Sequence, residues 1–155
     1  GVKNFYRYAQ VSLSANQRYL TALSQVEDPT GAFRDLHRFS ESKVFNHRPV
    51  RGFNPVSKED TRLFQAALRG EHVFGFRNRD LRGQLFETTQ EPNTVRQQSA
   101  QVSRMIHRLH VHGLIAKIPH CRKWKVTPTG YKLMSASLRL KHEDFPNILL
   151  TKMAA

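Results

Sequence analysis

Apolar residues along this chain recur first at helical spacing, then lose their period, then return with sharper signals. From about residue 4 to 25, Phe5, Tyr8, Val11 or Ser12, Ala15, Tyr19, Ala22 and Val26 fall at three- and four-residue steps, which predicts a helix. Asp28-Pro29-Thr30-Gly31 breaks it. A shorter stripe of Phe33, Leu36 and Phe39 predicts a second helix over about 31–39. Residues 40–56 hold Pro49, Gly52 and Pro55 and no helical period, so they read as a linker or extended arm and as a domain boundary.

Ser57 ahead of Lys58-Glu59-Asp60 then reads as an N-cap with acids in the first turn. Leu63, Phe64, Ala67 and Leu68 supply the apolar stripe of that helix, and Gly70 stops it. Val73, Phe74 and Phe76 are β-prone and short. Asn78 is suited to cap a helix from Arg79 to about Phe86, with Leu81, Leu85 and Phe86 inward. After a polar loop, a longer helix is expected from about Thr94 to His112, stopped by Gly113. Its apolar face is Val95, Val102, Ile106 and Leu109; its opposite face is Gln97, Gln101, Arg104 and Arg108. Two β-prone runs, 114–118 and 123–127, are separated by Pro119-His120-Cys121-Arg122 and read as a hairpin. Thr127-Pro128 opens a last helix, with contacts from Tyr131, Leu133 or Met134, Leu138 and Leu140. The expected fold is therefore mainly α with a small β-hairpin, an α+β arrangement. A helical extension over 1–39 and an arm over 40–56 precede the module of 57–141, and a tail follows over 142–155.

Charge changes what this scaffold is for. The chain carries 25 Lys+Arg against 12 Asp+Glu, a formal charge of +13. Such an imbalance repels itself in a compact state and suits a polyanionic partner. From Pro92 to His142 there is no Asp or Glu, while Arg96, Arg104, Arg108, Lys117, Arg122, Lys123, Lys125, Lys132, Arg139 and Lys141 all fall there. Apolar residues make up 39%, enough for a core. The lone Cys121 excludes an intrachain disulfide, and no apolar run approaches the ~20 residues that span a bilayer. These bounds point to a cytoplasmic protein without a membrane partner. The opening Gly1-Val2-Lys3 has no initiator Met and reads as the start of a piece of a longer chain.

The run from Val102 to Ile115, with its Arg104, Arg108 and Gly113-Leu114-Ile115, resembles the recognition helix and first wing strand of the winged helix-turn-helix superfamily, nearest to the MarR and ArsR kind. Lys125-Val126-Thr127-Pro128-Thr129-Gly130 resembles the second strand entering the next helix. The resemblance implies a winged-helix fold and leaves the target open. Asn16-Gln17-Arg18-Tyr19-Leu20, Gly75-Phe76-Arg77-Asn78-Arg79-Asp80-Leu81-Arg82 and His112-Gly113-Leu114-Ile115-Ala116-Lys117 further resemble the C-terminal part of a family of longer, uncharacterised bacterial proteins. That likeness transfers no chemistry.

The residues support a nucleic-acid reading without it. A helix fits the major groove, where Gln pairs with adenine and Arg with guanine. Gln97, Gln98, Gln101, Arg104 and Arg108 are candidates to read bases or clamp phosphates. Arg96 and Ser99 are candidates to meet phosphate with backbone N–H groups. Asn78, Arg79 and Arg82 are further phosphate candidates, and His120, Arg122 and Lys123 form the tip of the wing. Metal chemistry is poorly served: His107 and His112 do not share a helix face, and His110, His120 and one thiol do not complete a ligand set. Cys121 beside Arg122 reads as a passive thiol. Glu59-Asp60 reads as helix-terminal charge and Glu143-Asp144 as tail; Phe53, Phe74, Phe76 and Trp124 read as packing. No cofactor and no catalysis are expected. The expected function is sequence-dependent binding of double-stranded DNA, by a transcription regulator or by the targeting module of a longer protein. A second copy or the missing N-terminal part is a further candidate partner. A protein-interaction winged helix and a structured-RNA binder stand as the alternatives.

Overall fold

The computed structural model describes residues 29–69 and 74–144. The first expected helix, the stop at Gly70, Val73 and the tail beyond Asp144 lie outside the described residues. Within them the chain is mainly helical with two small antiparallel hairpins. In order these are α1 (Pro29–Ser40), β1 (Lys43–Phe45), β2 (Arg48–Val50), α2 (Lys58–Ala67), α3 (Asn78–Leu85), α4 (Pro92–Val111), β3 (Ile115–Lys117), β4 (Trp124–Val126) and α5 (Pro128–Arg139). A π-helical turn, Leu140–Asp144, continues α5. No helix among the described residues is long and apolar enough to cross a membrane.

The segment 40–56 is not a bare linker. Lys43–Phe45 pairs with Arg48–Val50, in the register Lys43 with Val50 and Phe45 with Arg48. The two connecting residues, Asn46 and His47, have φ of 48° and 62°. Two consecutive positive φ values mark a two-residue turn whose twist matches that of paired strands. Asparagine tolerates this backbone; histidine in the second position, where glycine is usual, hid the turn from the sequence. Beyond the hairpin, Phe53 drops into the core at 1% exposure. Its ring lies 5.0 Å from Phe39 and 5.3 Å from Phe64, and Phe39 and Phe64 are also 5.3 Å apart. Three phenyl rings thus join α1, the segment after β2 and α2. Each fully buried ring contributes about 1.5–3 kcal/mol by leaving water.

The remaining core follows the helical and alternating periods. Leu63 and Phe64 of α2, Leu81 of α3, Val102, Ile106 and Leu109 of α4, Leu114, Ile115 and Val126 around the second hairpin, and Met134 of α5 are all buried. Val95 is only half-buried because it sits near the open end of α4. Ser57 caps α2 by accepting the N–H of Asp60 at 3.1 Å. Asn78 does not cap α3. It is the first helical residue, and the cap is Arg77, whose N–H donates to the Asp80 carboxylate at 2.7 Å. Phe76 exchanges both backbone hydrogen bonds with Trp124, at 2.8 and 2.9 Å, so it lies beside β4 as a one-residue third strand. Phe74 does not pack as its type suggested; it is 82% exposed.

The turn from α4 into β3 interlocks with the start of α5. Gly113 takes φ +72°, which ends α4. The Leu114 N–H reaches back to the Leu109 carbonyl at 3.0 Å, and the Gly113 N–H to the His110 carbonyl at 2.9 Å. This bond pair closes a helix over a left-handed residue. The Gly113 carbonyl accepts the Thr127 hydroxyl at 2.7 Å, and the Leu114 carbonyl accepts the Thr127 N–H at 3.0 Å. The Thr127 hydroxyl oxygen in turn accepts the Gly130 N–H at 2.9 Å, capping α5. A Cβ on Gly130 would stand 2.0 Å from the Leu114 carbonyl oxygen. The Gly-Leu-Ile and Thr-Pro-x-Gly runs are therefore two halves of one clamp. Replacing Gly130 with Ala forces backbone against backbone, and we expect it to cost about 1–3 kcal/mol. A urea melt unchanged from wild type would show that the clamp yields freely.

Candidate nucleic-acid interface

Helix α4 is held from both sides, and the manner of holding decides which side chains remain free. On one side, α3 is sutured to it by polar contacts. Asn78 Nδ2 donates to the Ser99 carbonyl at 2.9 Å and to the Ser103 hydroxyl at 2.8 Å. Arg82 Nη1 donates to the Ser99 hydroxyl at 2.6 Å. Asn78, Arg82 and Ser99, all proposed from sequence as phosphate contacts, are thus partly engaged in packing two helices. Arg79 stays outside, with its side chain 71% exposed and only a 4.0 Å approach to Asp80.

On the other side lies a buried charge hub. Asp60 is 3% exposed and accepts three donors. Its carboxylate takes Arg108 Nη1 at 2.8 Å and Nη2 at 3.2 Å in a two-pronged pair, and Oδ2 also takes the Asn54 N–H at 2.8 Å. The Arg108 guanidinium donates further to the Arg51 carbonyl at 3.1 Å and to the Gly52 carbonyl, and it lies 3.9 Å above the Phe53 ring. Its side chain is only 13% exposed. Arg108 is therefore withdrawn from the reading face to which its spacing assigned it. Helical spacing could not distinguish it from Arg104, because the partner that turns it inward lies 48 residues away. Asp60, expected to be no more than helix-terminal charge, is that partner. Gly52 fits because its Cα faces the Ser40 carbonyl oxygen, which would stand 2.0 Å from an added Cβ.

His112 completes the hub. It is 5% exposed, donates from Nε2 to the Arg51 carbonyl at 3.0 Å, and packs edge-on against Phe53 at 5.1 Å. Its Nδ1 is buried without a partner. Burial, assisted by the charges of Lys43 and Arg108 and opposed by the backbone carbonyls of Arg51 and Val50, holds its pKa below the usual histidine value. The imidazole is therefore neutral near pH 7.

Of the candidates on α4, Arg96, Gln97, Gln101 and Arg104 remain exposed and Gln98 is half-buried. The helix begins at Pro92 rather than near Thr94. This start sets the backbone N–H groups of Arg96 and Ser99 inside the helical ladder, so they are not available to an anion; only the Arg96 side chain is. At the second hairpin, His120 and Arg122 are exposed and Lys123 is half-buried, with His120 at φ +61° in the tip. Cys121 Sγ lies 3.7 Å from the Ile118 carbonyl. Trp124 is half-buried, and its ring sits 5.0 Å from His110, whose Nδ1 approaches the Ile115 carbonyl at 3.4 Å. Two other cations of the acid-free stretch are engaged: Lys132 pairs with Asp35 at 3.1 Å, and Lys141 donates to the Thr61 hydroxyl at 2.8 Å. Among the described residues no three His, Cys, Asp or Glu side chains converge on a point where a metal could sit.

Two outcomes follow from the hub. Arg108→Ala leaves Asp60 buried without its counter-charge, and we expect a loss of about 3–5 kcal/mol in chemical denaturation; a loss below about 1 kcal/mol would mean that the pair holds little. His112 titrates lower in the folded chain than unfolded, so the unfolded state takes up the proton first on acidification. Its contribution is whole above the ordinary histidine value of about 6.5 and declines as pH falls through the folded value, at no more than about 1.4 kcal/mol per pH unit. Denaturation midpoints between about pH 7.5 and 5 should fall more for the wild type than for His112→Gln, and equal slopes would remove His112 as the cause.

A scan against protein-family models found no match for this chain, and searches of the curated proteins and of the solved structures found no similar one.

Proposed function

We propose that residues 57–141 form a winged helix that binds double-stranded DNA, as a regulator or as the targeting module of a longer protein. The reading is of a binding module, not an enzyme. The observation that carries it is the outer stripe of α4. Arg96, Gln97, Gln101 and Arg104 stand in solvent on one helix, within a stretch from Pro92 to His142 that has no carboxylate. A solvated face kept for solubility mixes signs. This one offers only cations and amides, the donor set that pairs with guanine and adenine edges.

The arrangement around the stripe supports the same reading. The order α2, Phe76, α3, α4, β3–β4, with Phe76 bonded beside β4, is the order of a helix-turn-helix followed by a wing. In this reading α4 enters the major groove, and the exposed tip residues His120 and Arg122 meet the backbone beside it. Arg79, at the start of α3, reaches the phosphates flanking the groove. Arg82, Ser99 and Arg108 serve by fixing the position of α4, and Lys123 assists at the base of the tip.

The test is a titration of the chain with duplex DNA, duplex RNA and single strands at several salt concentrations. With about four or five phosphate contacts, log affinity for duplex DNA should fall against log salt with a slope of about −4. Arg104→Ala should cost about 1–3 kcal/mol of discrimination at the base it reads. Duplex RNA bound more tightly than DNA, or no appreciable affinity for any nucleic acid, would overturn the proposal in favour of an RNA-binding or protein-binding module.

A further inference from the structure

The β1–β2 hairpin has no explanation in the core. Its strands are exposed on nearly every residue, and Val44 reaches 74% exposure. It nevertheless adopts a tight turn through two non-glycine residues with positive φ, Asn46 and His47. Such backbone carries a local penalty that persists only when something over-determines it. The base of the hairpin is held by the buried polar cluster, where Arg108 and His112 bind the carbonyls of Arg51 and Gly52. Near the tip, Phe45 meets His107 of α4 edge-on at 5.1 Å. The result is an exposed ribbon held against α4 at its base and near its tip.

Its chemistry is as one-sided as that of α4. Between Glu41 and Glu59 the chain has no carboxylate, and it carries Lys43, His47, Arg48, Arg51 and Lys58. Among the described residues no ion pair engages Lys43, Arg48 or Arg51. Its location follows from helix geometry. Residues two apart on a helix are separated by about 200°, so Arg108 and His110 look to opposite flanks of α4. Arg108 holds the base of β1–β2, and His110 packs on Trp124 of β3–β4. Arg108 lies within about 40° of Gln97, Gln101 and Arg104 around the helix axis, so the β1–β2 ribbon stands on the side of the exposed stripe itself, beyond its C-terminal end.

We infer that the β1–β2 hairpin is a second arm, which grips the phosphate backbone of duplex DNA at the C-terminal end of the exposed stripe of α4. This rests on the DNA-binding reading above. A helix lying in a groove passes a bordering phosphate strand at its end, and a cationic ribbon footed there meets that strand. Arg48 and Arg51 supply the charge, and the fixed footing sets the reach of the arm before binding.

The double variant Arg48→Ala, Arg51→Ala tests this, because it removes two exposed side chains and leaves the Arg51 carbonyl in place. The salt slope for duplex DNA should become shallower by about 1.8, with roughly tenfold weaker binding near 0.1 M salt. Preference among base sequences should survive, unlike in Arg104→Ala. A hydroxyl-radical footprint of the wild type should show protected backbone beyond the groove that α4 occupies, and the double variant should lose that protection. A thermal melt matching the wild type excludes unfolding as the cause. If the wild type binds duplex DNA and is sensitive to Arg104→Ala while the double variant keeps its slope and footprint, the arm is overturned and the DNA-binding reading stands. If the wild type binds no duplex, both fall together.

Discussion

One buried ion pair organises the described structure. Asp60 stands in the first turn of α2, Arg108 in the last turn of α4, and the carbonyls of Arg51 and Gly52 follow directly on the hairpin that precedes α2. A pair this far from water gains little net stability from its own attraction, since both charges had to be desolvated. Its effect is on geometry. The carboxylate is filled by a two-pronged guanidinium and a backbone N–H, and the guanidinium is filled by two carbonyls and an aromatic face. Each of these contacts depends on the direction in which Arg108 leaves the helix, so together they hold α4 at its rotation about its axis. That rotation decides which of its polar residues look outward.

The acid-free stretch is therefore not uniform. Arg108 is withdrawn into the fold, Lys132 and Lys141 are engaged by Asp35 and Thr61, and ahead of the stretch Arg82 ties α3 to α4. Arg96, Arg104 and Arg122 are left in solvent. The cations inside set the position of the cations outside, which is the division a surface needs if a rigid, charged partner is to meet it without prior rearrangement. His112 adds a neutral donor to the same cluster and remains neutral because it is buried, with the charges of Lys43 and Arg108 acting in the same direction.

Much of this was legible from residue order. The helical period named the buried residues Val102, Ile106 and Leu109, and Ser57, Gly113 and Thr127-Pro128 marked ends that the backbone respects. The motif runs around Gly113 and Gly130 were recognisable because they encode a local clamp, and local geometry leaves a local signature. What escaped was set by contacts distant in sequence. Arg108 and Arg104 are indistinguishable by period and differ only because Asp60 lies across from one of them. The β1–β2 ribbon has polar or exposed residues on both faces, so it lacks the alternation that betrays a half-buried strand. Phe74 is the opposite case, an aromatic residue whose type predicts burial while its position on the turn ahead of Gly75 denies it. For the candidate interface, composition and periodicity named the stripe, while the sorting of its members required coordinates.

The clamp at the foot of β3–β4 has a consequence for how such a surface changes over time. Thr127 locks the two ends of this ribbon together at Gly113 and Leu114, and Phe76 braces it sideways through Trp124. The residues between Ile118 and Lys123 bear none of that load. Doubling a loop costs only about 0.6 kcal/mol in closure entropy. A lineage built on this scaffold is thus free to lengthen, shorten or recharge that tip while the frame beneath it stays fixed, so that partner preference and foldedness are inherited as separable traits.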